Sequence, residues 1–405
     1  KLVTGVQTCA LPICDSGYVN GGSSCETEKF SITTTNLSAG TAFTFGMSAS
    51  GVFYIDWGDG TGETIDRTGN TDFETYSHTY TTRGVKTIRF GGIAEEYADV
   101  DASLYEYSLP AITFGTNVYI LNRDTGEEED YEFSGNLIAS ISGDLSLMFP
   151  VLGSSETLKP KFFHTFAGCT GLTSIPGNLF SGITTGVQYM FYGTFSGCTG
   201  LTSIPGTLFS GITTGVEGMF EDTFANCTGL TSIPGNLFSG ITMGANYMFT
   251  GTFANCTGLT SIPGNLFSGI TTGASGMFTN TFANCTGLTS IPGNLFSGIT
   301  TGASSMFYYT FANCTGLTSI PGNLFSGITT GDAFMFSGTF YGCTNITGYI
   351  PPSTFKTGMG SYSNMWSNTF SNTQLVTSCP TGTTQYITGY EGSTAGTTWN
   401  GKVSC

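Results

Sequence analysis

Between Thr165 and Thr344 there is not one lysine, arginine or histidine. The whole chain of 405 residues has 11 Lys and Arg and 2 His against 27 Asp and Glu, a formal net charge of -16. Nucleic-acid binding relies on clustered cations that neutralise phosphates, so this deficit argues against it. Charged residues make up only 9% of the chain, and Gly, Ser, Thr and Asn take their place, which makes the surface largely neutral and polar. No apolar run approaches the roughly 20 residues needed to cross a bilayer, so no membrane insertion is expected of the visible chain. P-loop, G-x-S-x-G and H-E-x-x-H strings are all missing. General acid–base work needs a base beside its partner, and neither His78 nor His164 sits near a nucleophile. The reading is therefore no enzyme, no cofactor and no metal.

What the chain does have is repetition. TFANCTGLTSIPGNLFSGITTG recurs every 29 residues, with copies opening at Thr165, Thr194, Thr223, Thr252, Thr281 and Thr310, a looser one at Thr339 and a remnant at Thr369. Such a period is the mark of a solenoid, whose units bury their apolar side only against neighbours. In the copy from Thr252, Phe278, Phe282 and Cys285 are spaced i, i+4, i+7, which predicts a helical turn, and Leu266, Phe267 and Ile270 predict a second. Leu259 to Ile262 reads as a short strand stopped by Pro263-Gly264.

Twelve cysteines are present. Seven stand at one repeat position, namely Cys169, Cys198, Cys227, Cys256, Cys285, Cys314 and Cys343. Spacing of 29 residues without histidine offers no zinc site, so the ladder reads as buried thiols acting as small hydrophobes, with inter-coil disulfides as the alternative. Cys379 and Cys405 lie in a Gly- and Thr-rich tail with little apolar content, where a disulfide is plausible and would leave Cys25 unpaired.

Residues 30–90 contain short runs rich in β-branched and aromatic residues, separated by turn residues. In one of them Val52, Tyr54 and Asp56 alternate with Phe53, Ile55 and Trp57, so one set faces a core. The strings IDWGDGT and SHTY, then a glycine and KTIRF, resemble the PKD-type immunoglobulin-like domain over about Glu26 to Gly92. That resemblance implies an all-β sandwich of the kind used as spacer or adhesive module in secreted and surface proteins. Asp56, Asp59 and Glu63 supply too few oxygens for calcium. Asp59-Gly60 is read as the tight turn instead, with Trp57 and His78 packing as structural residues.

The repeat pattern F-x-x-C-x-x-L-x-x-I-P resembles bacterial surface-antigen leucine-rich repeats of the BspA type, over about Ile141 to Leu375. It departs from them in its short LTSIP segment and its long coil with an added Met-Phe element. Lys1 to Cys14 (KLVTGVQTCALPIC) resembles a translated sequencing adapter, which would make it an artefact that hides any export signal; the alternative is an ordinary leader. The expected fold is thus an N-terminal all-β sandwich followed by a leucine-rich-repeat-like solenoid of 29-residue coils, each a short parallel strand plus helical or 3₁₀ turns. The expected divisions are 1–14 artefact, 15–93 sandwich, 94–140 connector with an acidic insertion, 141–375 solenoid with its N-terminal cap, and 376–405 a Cys-containing tail or cap.

Because the repeats are so alike, their differences are informative. They concentrate around the Met-Phe pairs, where the copies carry Gln188, Tyr189 and Tyr192; Glu217, Glu221 and Asp222; Asn246 and Tyr247; Tyr308 and Tyr309; Asp332 and Phe334. Stacked coils would gather these into one lateral stripe, and tyrosine gives a large rigid contact at low entropy cost. The stripe is the candidate ligand face for proteins or glycans at a cell surface; drift on an unconstrained surface is the alternative. Met and Phe themselves read as core, with a partner-binding groove as the alternative. The N-x-T strings at Asn226, Asn255, Asn284 and Asn313 read as polar turns or an asparagine ladder, with glycosylation as the other possibility. Two functions follow: an extracellular or bacterial-surface adhesin-like binding protein, or a display scaffold or surface-coat stalk without a specific ligand.

Overall fold

The computed structural model describes residues 18–20, 25–98, 109–116, 118–121, 128–155, 158–348, 362–375, 384–386 and 402–404. The adapter-like segment lies outside them. Among the described residues the strands before the repeats are β1 (Tyr18–Asn20), β2 (Cys25–Thr27), β3 (Phe30–Thr34), β4 (Ala42–Met47), β5 (Ser50–Asp56), β6 (Gly62–Asp66), β7 (Glu74–Thr79), β8 (Thr87–Glu96), β9 (Ile112–Thr113), β10 (Val118–Leu121), β11 (Glu128–Tyr131) and β12 (Ile138–Gly143). They form an open five-stranded sheet in the order β12-β3-β8-β5-β6, a three-stranded sheet β7-β4-β9, and the antiparallel pairs β1–β2 and β10–β11. The alternation in β5 puts Phe53 and Ile55 inward, with Trp57 just beyond the strand. Rings from both sheets meet there: Phe45 of β4 lies 5.7 Å from Phe90 of β8, edge-on at 89°, and 6.3 Å from Trp57.

The first repeat docks on segment 109–116. Ala111, Phe114 and Thr116 donate their N–H groups to Lys161, Thr165 and Ala167 at 2.9, 2.8 and 2.8 Å. Phe114 stacks on Phe166 at 5.7 Å and 17°. Buried Asp144 accepts from the Ser146 N–H at 2.9 Å and from the Ser181 hydroxyl of the first repeat. One continuous apolar cluster consequently runs from Phe30 to Leu375.

The repeats correct the expected fold class. From Thr165 onward the described residues contain no helix of either kind; the 3₁₀ turns Ser134–Leu137 and Leu145–Leu147 lie ahead of them. Among the described residues the one parallel strand pairing is between β13 (Thr347–Gly348) and β14 (Gln374–Leu375), at the far end. A leucine-rich-repeat-like solenoid of short parallel strands and helical turns is therefore not what this chain forms. The repeats are chains of turns, and their backbone explains why.

In 187–198, the N–H groups of Tyr189, Phe191, Gly193, Phe195 and Gly197 donate across to the carbonyls of Glu217, Met219, Glu221, Thr223 and Ala225 at 2.8–3.1 Å. The intervening N–H groups of Met190, Tyr192, Thr194, Ser196 and Cys198 donate to carbonyls three residues back at 3.0–3.2 Å. Every fourth residue is left-handed, with φ of 57° at Tyr189, 57° at Gly193 and 72° at Gly197. An α-helix needs negative φ throughout and bonds four residues back, and this ribbon has neither.

The LTSIP segment fails as a strand for a different reason. Proline offers no N–H, and the cross-repeat bonds there are single and long, such as Thr202 to Thr173 at 3.5 Å and Thr231 to Thr202 at 3.3 Å. A ladder needs paired bonds along both edges.

Side chains bind each repeat to the next. Phe191–Phe220 and Phe195–Phe224 stack at 5.7 and 5.5 Å, each at 4°. Thr223 Oγ1 donates to the Phe191 carbonyl at 2.9 Å, a bond repeated in later copies by Thr252, Thr281 and Thr310. Beyond the repeats, β15 (Thr384–Tyr386) pairs antiparallel with β16 (Lys402–Ser404). Cys379 and Cys405, the candidate disulfide, lie outside the described residues.

Candidate binding face

The ribbon has an inner and an outer side. Met190, Phe191, Thr194, Phe195 and Cys198 are buried, while the pairs between them (Gln188 and Tyr189, Tyr192 and Gly193, Ser196 and Gly197) form the outer side. The second member of each outer pair is the left-handed one. Residues 29 positions apart therefore make columns: Tyr189, Gly218, Tyr247, Gly276, Ser305 and Phe334 in one, and His164, Gly193, Asp222, Gly251, Asn280, Tyr309 and Gly338 in the next.

In these columns large side chains and glycines interleave because each large side chain lies over the next repeat. A Cβ at Gly218 would run into the Tyr189 ring, one at Gly276 into the Tyr247 ring, and one at Gly338 would lie 2.5 Å from Tyr309 Cε2. His164 covers Gly193 and Asp222 covers Gly251 in the same way. This packing rule was missed in the sequence. Its signal was there, in bulky residues followed 29 positions later by glycine.

The rule sorts the candidate residues. Tyr189 is only 8% exposed. Tyr192 is half-buried and stacks on Phe163 at 4.8 Å and 16°. Gln188 Nε2 donates to Glu217 of the next repeat at 3.4 Å, and Glu221 beside them is half-buried. Burial over Gly251 pushes the Asp222 carboxyl up to about 6. Asn246 accepts the Ser275 N–H at 3.1 Å, and Asp332 accepts the Ala333 N–H at 2.6 Å.

The more open aromatics lie in the later repeats. Tyr247 is 44% and Phe334 39% exposed. Tyr308 and Tyr309 are half-buried with ring centroids 4.6 Å apart, and Tyr309 lies 5.6 Å from Tyr341, which sequence reasoning did not single out. Of the candidate face, the structure gathers Tyr308 and Tyr309 into one aromatic patch and keeps Gln188, Tyr189 and Tyr192 apart, at the other end of the stack.

Asn226, Asn255, Asn284 and Asn313 occupy left-handed positions with φ of 56–61°, where asparagine is tolerated best after glycine. Asn313 Nδ2 donates to Asn284 Oδ1 at 3.0 Å. The seven ladder cysteines are free and buried. From Cys198 to Cys343 each thiol donates to a phenylalanine carbonyl 32 residues earlier at 3.0–3.2 Å. Burial pushes Cys285 and Cys343 up to about 12.

In the first sheets, Trp57 is buried, its ring stacks on His78 at 4.8 Å and 13°, and its carbonyl accepts from Tyr80 at 2.8 Å. Asp59 Oδ2 meets His78 Nε2 at 2.8 Å, and its Oδ1 accepts from Thr61 N–H and hydroxyl at 3.0 and 2.6 Å. Burial pushes this carboxyl up, but the hydrogen bonds from Thr61 and His78 outweigh it and hold Asp59 below its ordinary value. Glu63 is raised by burial, with His78 and Trp57 opposing. Asp59 Oδ1 thus closes the turn on Thr61, and Oδ2 ties the turn to His78 of β7. Among the described residues no group of three or more metal-binding side chains converges, and no helix is long and apolar enough to cross a membrane. Comparison with protein-family models, with curated proteins and with solved structures gives no match.

Proposed function

We propose that this is a non-enzymatic, extracellular or cell-surface protein that binds surface proteins or glycans through the outer side of its turn ribbon, in the manner of an adhesin. The observation that carries this reading is the contrast between an almost invariant repeat and a ribbon that keeps Tyr247 and Phe334 at 44% and 39% exposure. Tyr247 lies over Gly276 but leaves nearly half of its surface open, and the column does without an aromatic ring at Ser305 and Asn364. Aromatic rings left this open are a feature of recognition surfaces.

A second reading, a display scaffold without a ligand, has its own support. Tyr189 over Gly218 shows that part of the variation is packing alone. The discriminating experiment is a screen of the purified chain against arrays of glycans and extracellular proteins. Saturable binding to at least one of them is expected; none, from folded protein, would favour the scaffold.

A further inference from the structure

We propose that the ribbon face holds a neutral, linear polysaccharide along the stacking axis, with Tyr247, Tyr308, Tyr309, Phe334 and Tyr341 as its stacking platforms. This rests on the binding-face reading above and narrows its ligand. Charge is the first argument. The repeats from Thr165 to Thr344 contain no cation, so a sulfated, phosphorylated or uronic-acid chain would find no counter-charge.

The second argument is the chemistry of the patch. Tyr308, Tyr309 and Tyr341 form a run of three half-buried rings, with centroid separations of 4.6 and 5.6 Å and interplanar angles of 63° and 51°. The C–H face of a pyranose packs against such rings, while its hydroxyls pair with phenols and amides. Asn280 and Asn313 supply amides next to Tyr309, one repeat before it and four residues after it.

Register is the third argument. Phe249, Phe278, Phe307 and Phe336 stack in sequence at 5.6, 5.5 and 5.4 Å, with only 5–7° between successive rings. The repeats thus advance with little rotation, and their direct backbone bonds set a step of about 5 Å per repeat. An extended β-1,4-linked hexose chain advances by a similar length per sugar. A sugar chain along the axis therefore keeps step with the repeats, meeting Tyr247, then Tyr308 and Tyr309 two repeats on, then Phe334 and Tyr341 after a third. From the repeat of Tyr247 to that of Phe334 is three steps, roughly 15 Å, or three to four sugars.

The test is calorimetric titration of the full chain with glucose, cellobiose, cellotetraose, cellohexaose and mannohexaose, and with a heparin hexasaccharide as the charged control. Affinity for at least one neutral series is expected to rise at least about tenfold from disaccharide to tetrasaccharide and then level off. It should be lost in a variant carrying Tyr308→Ser, Tyr309→Asn and Tyr341→Ser. Sister repeats already carry those residues, as Ser337, Asn280 and Ser196, so the variant keeps its fold. Failure of every neutral oligosaccharide, affinity independent of length, preference for heparin, or full binding by the variant would each overturn the proposal. A protein ligand found without any glycan would overturn it and leave the broader binding reading standing; no ligand of either kind would remove both.

Discussion

Gly218→Ala should cost far more than a surface glycine substitution usually does, and the excess should belong to Tyr189. Gly218 has φ of 58°, so any L-residue there pays about 1–2 kcal/mol for the left-handed backbone. The new Cβ would also run into the Tyr189 ring, which at 8% exposure has little room to swing away. Overpacking of this kind adds about 1–3 kcal/mol, for a total of about 2–5 kcal/mol. Gly276→Ala has the same backbone cost at φ of 62°, but its neighbour Tyr247 is 44% exposed and can move into solvent. Its loss should stay near about 1–2 kcal/mol. The assay is urea unfolding followed by circular dichroism, on a double-mutant cycle of Gly218→Ala with Tyr189→Gly. Coupling of about 1–3 kcal/mol is expected for that pair, well above the few tenths that independent sites show. If Gly218→Ala costs the same with and without the Tyr189 ring, the account of the columns is wrong.

Leu259 is fully buried in the Thr252 repeat, so Leu259→Ala should cost about 2–5 kcal/mol, and an unchanged urea midpoint would contradict that core. Two buried groups on one column should impose opposite pH dependences. Burial pushes His164 down to about 4, so the unfolded chain takes up the proton first, and stability falls by up to about 3 kcal/mol as pH drops from about 6.5 to 4. Burial raises Asp222 to about 6, so the folded chain holds that proton longer, and stability falls by about 1–3 kcal/mol as pH rises from about 4 to 6. Asp222→Asn should therefore raise the melting temperature at pH 7 and leave the protein acid-labile, whereas His164→Asn should relieve the acid lability without raising the melting temperature at pH 7; parallel pH profiles for both variants and the parent would refute the assignments. The buried thiols, with Cys285 and Cys343 raised to about 12, should stay unlabelled by maleimide at pH 7 until the chain unfolds, as read peptide by peptide by mass spectrometry. Rapid labelling of the folded protein would show that the ladder is open.

The 29-residue period and the inward residues of each repeat were legible because burial leaves a repeating apolar pattern; Leu259, Leu266, Phe267, Met277 and Phe278 are all buried. The local conformation was misread at Phe278, Phe282 and Cys285. Spacing of i, i+4, i+7 fits a helix of 3.6 residues per turn, but it fits a four-residue turn ribbon equally well. What separates the two is the left-handed residue at every fourth position, and Gly276, Asn280 and Asn284 were the residue types that mark it. The candidate face was located by variation between repeats, which does not tell ligand contacts from packing. Tyr189 varies because Gly218 makes room for it, a relation visible only once the two are stacked. The support that 109–116 gives the first repeat had no sequence signal, since it rests largely on backbone hydrogen bonds to residues about 50 positions away, which any side chain allows.

The most direct measurement compares two variants of the full chain in binding to whatever ligand the array screen yields. One replaces the open aromatics, with Tyr247→Asn, Tyr308→Ser and Tyr309→Asn; the other replaces the packed one, with Tyr189→Asn. The account predicts that the first loses binding while keeping its fold, and that the second binds normally with reduced stability. Equal binding by the open-aromatic variant and the parent would contradict the claim that this face recognises a ligand.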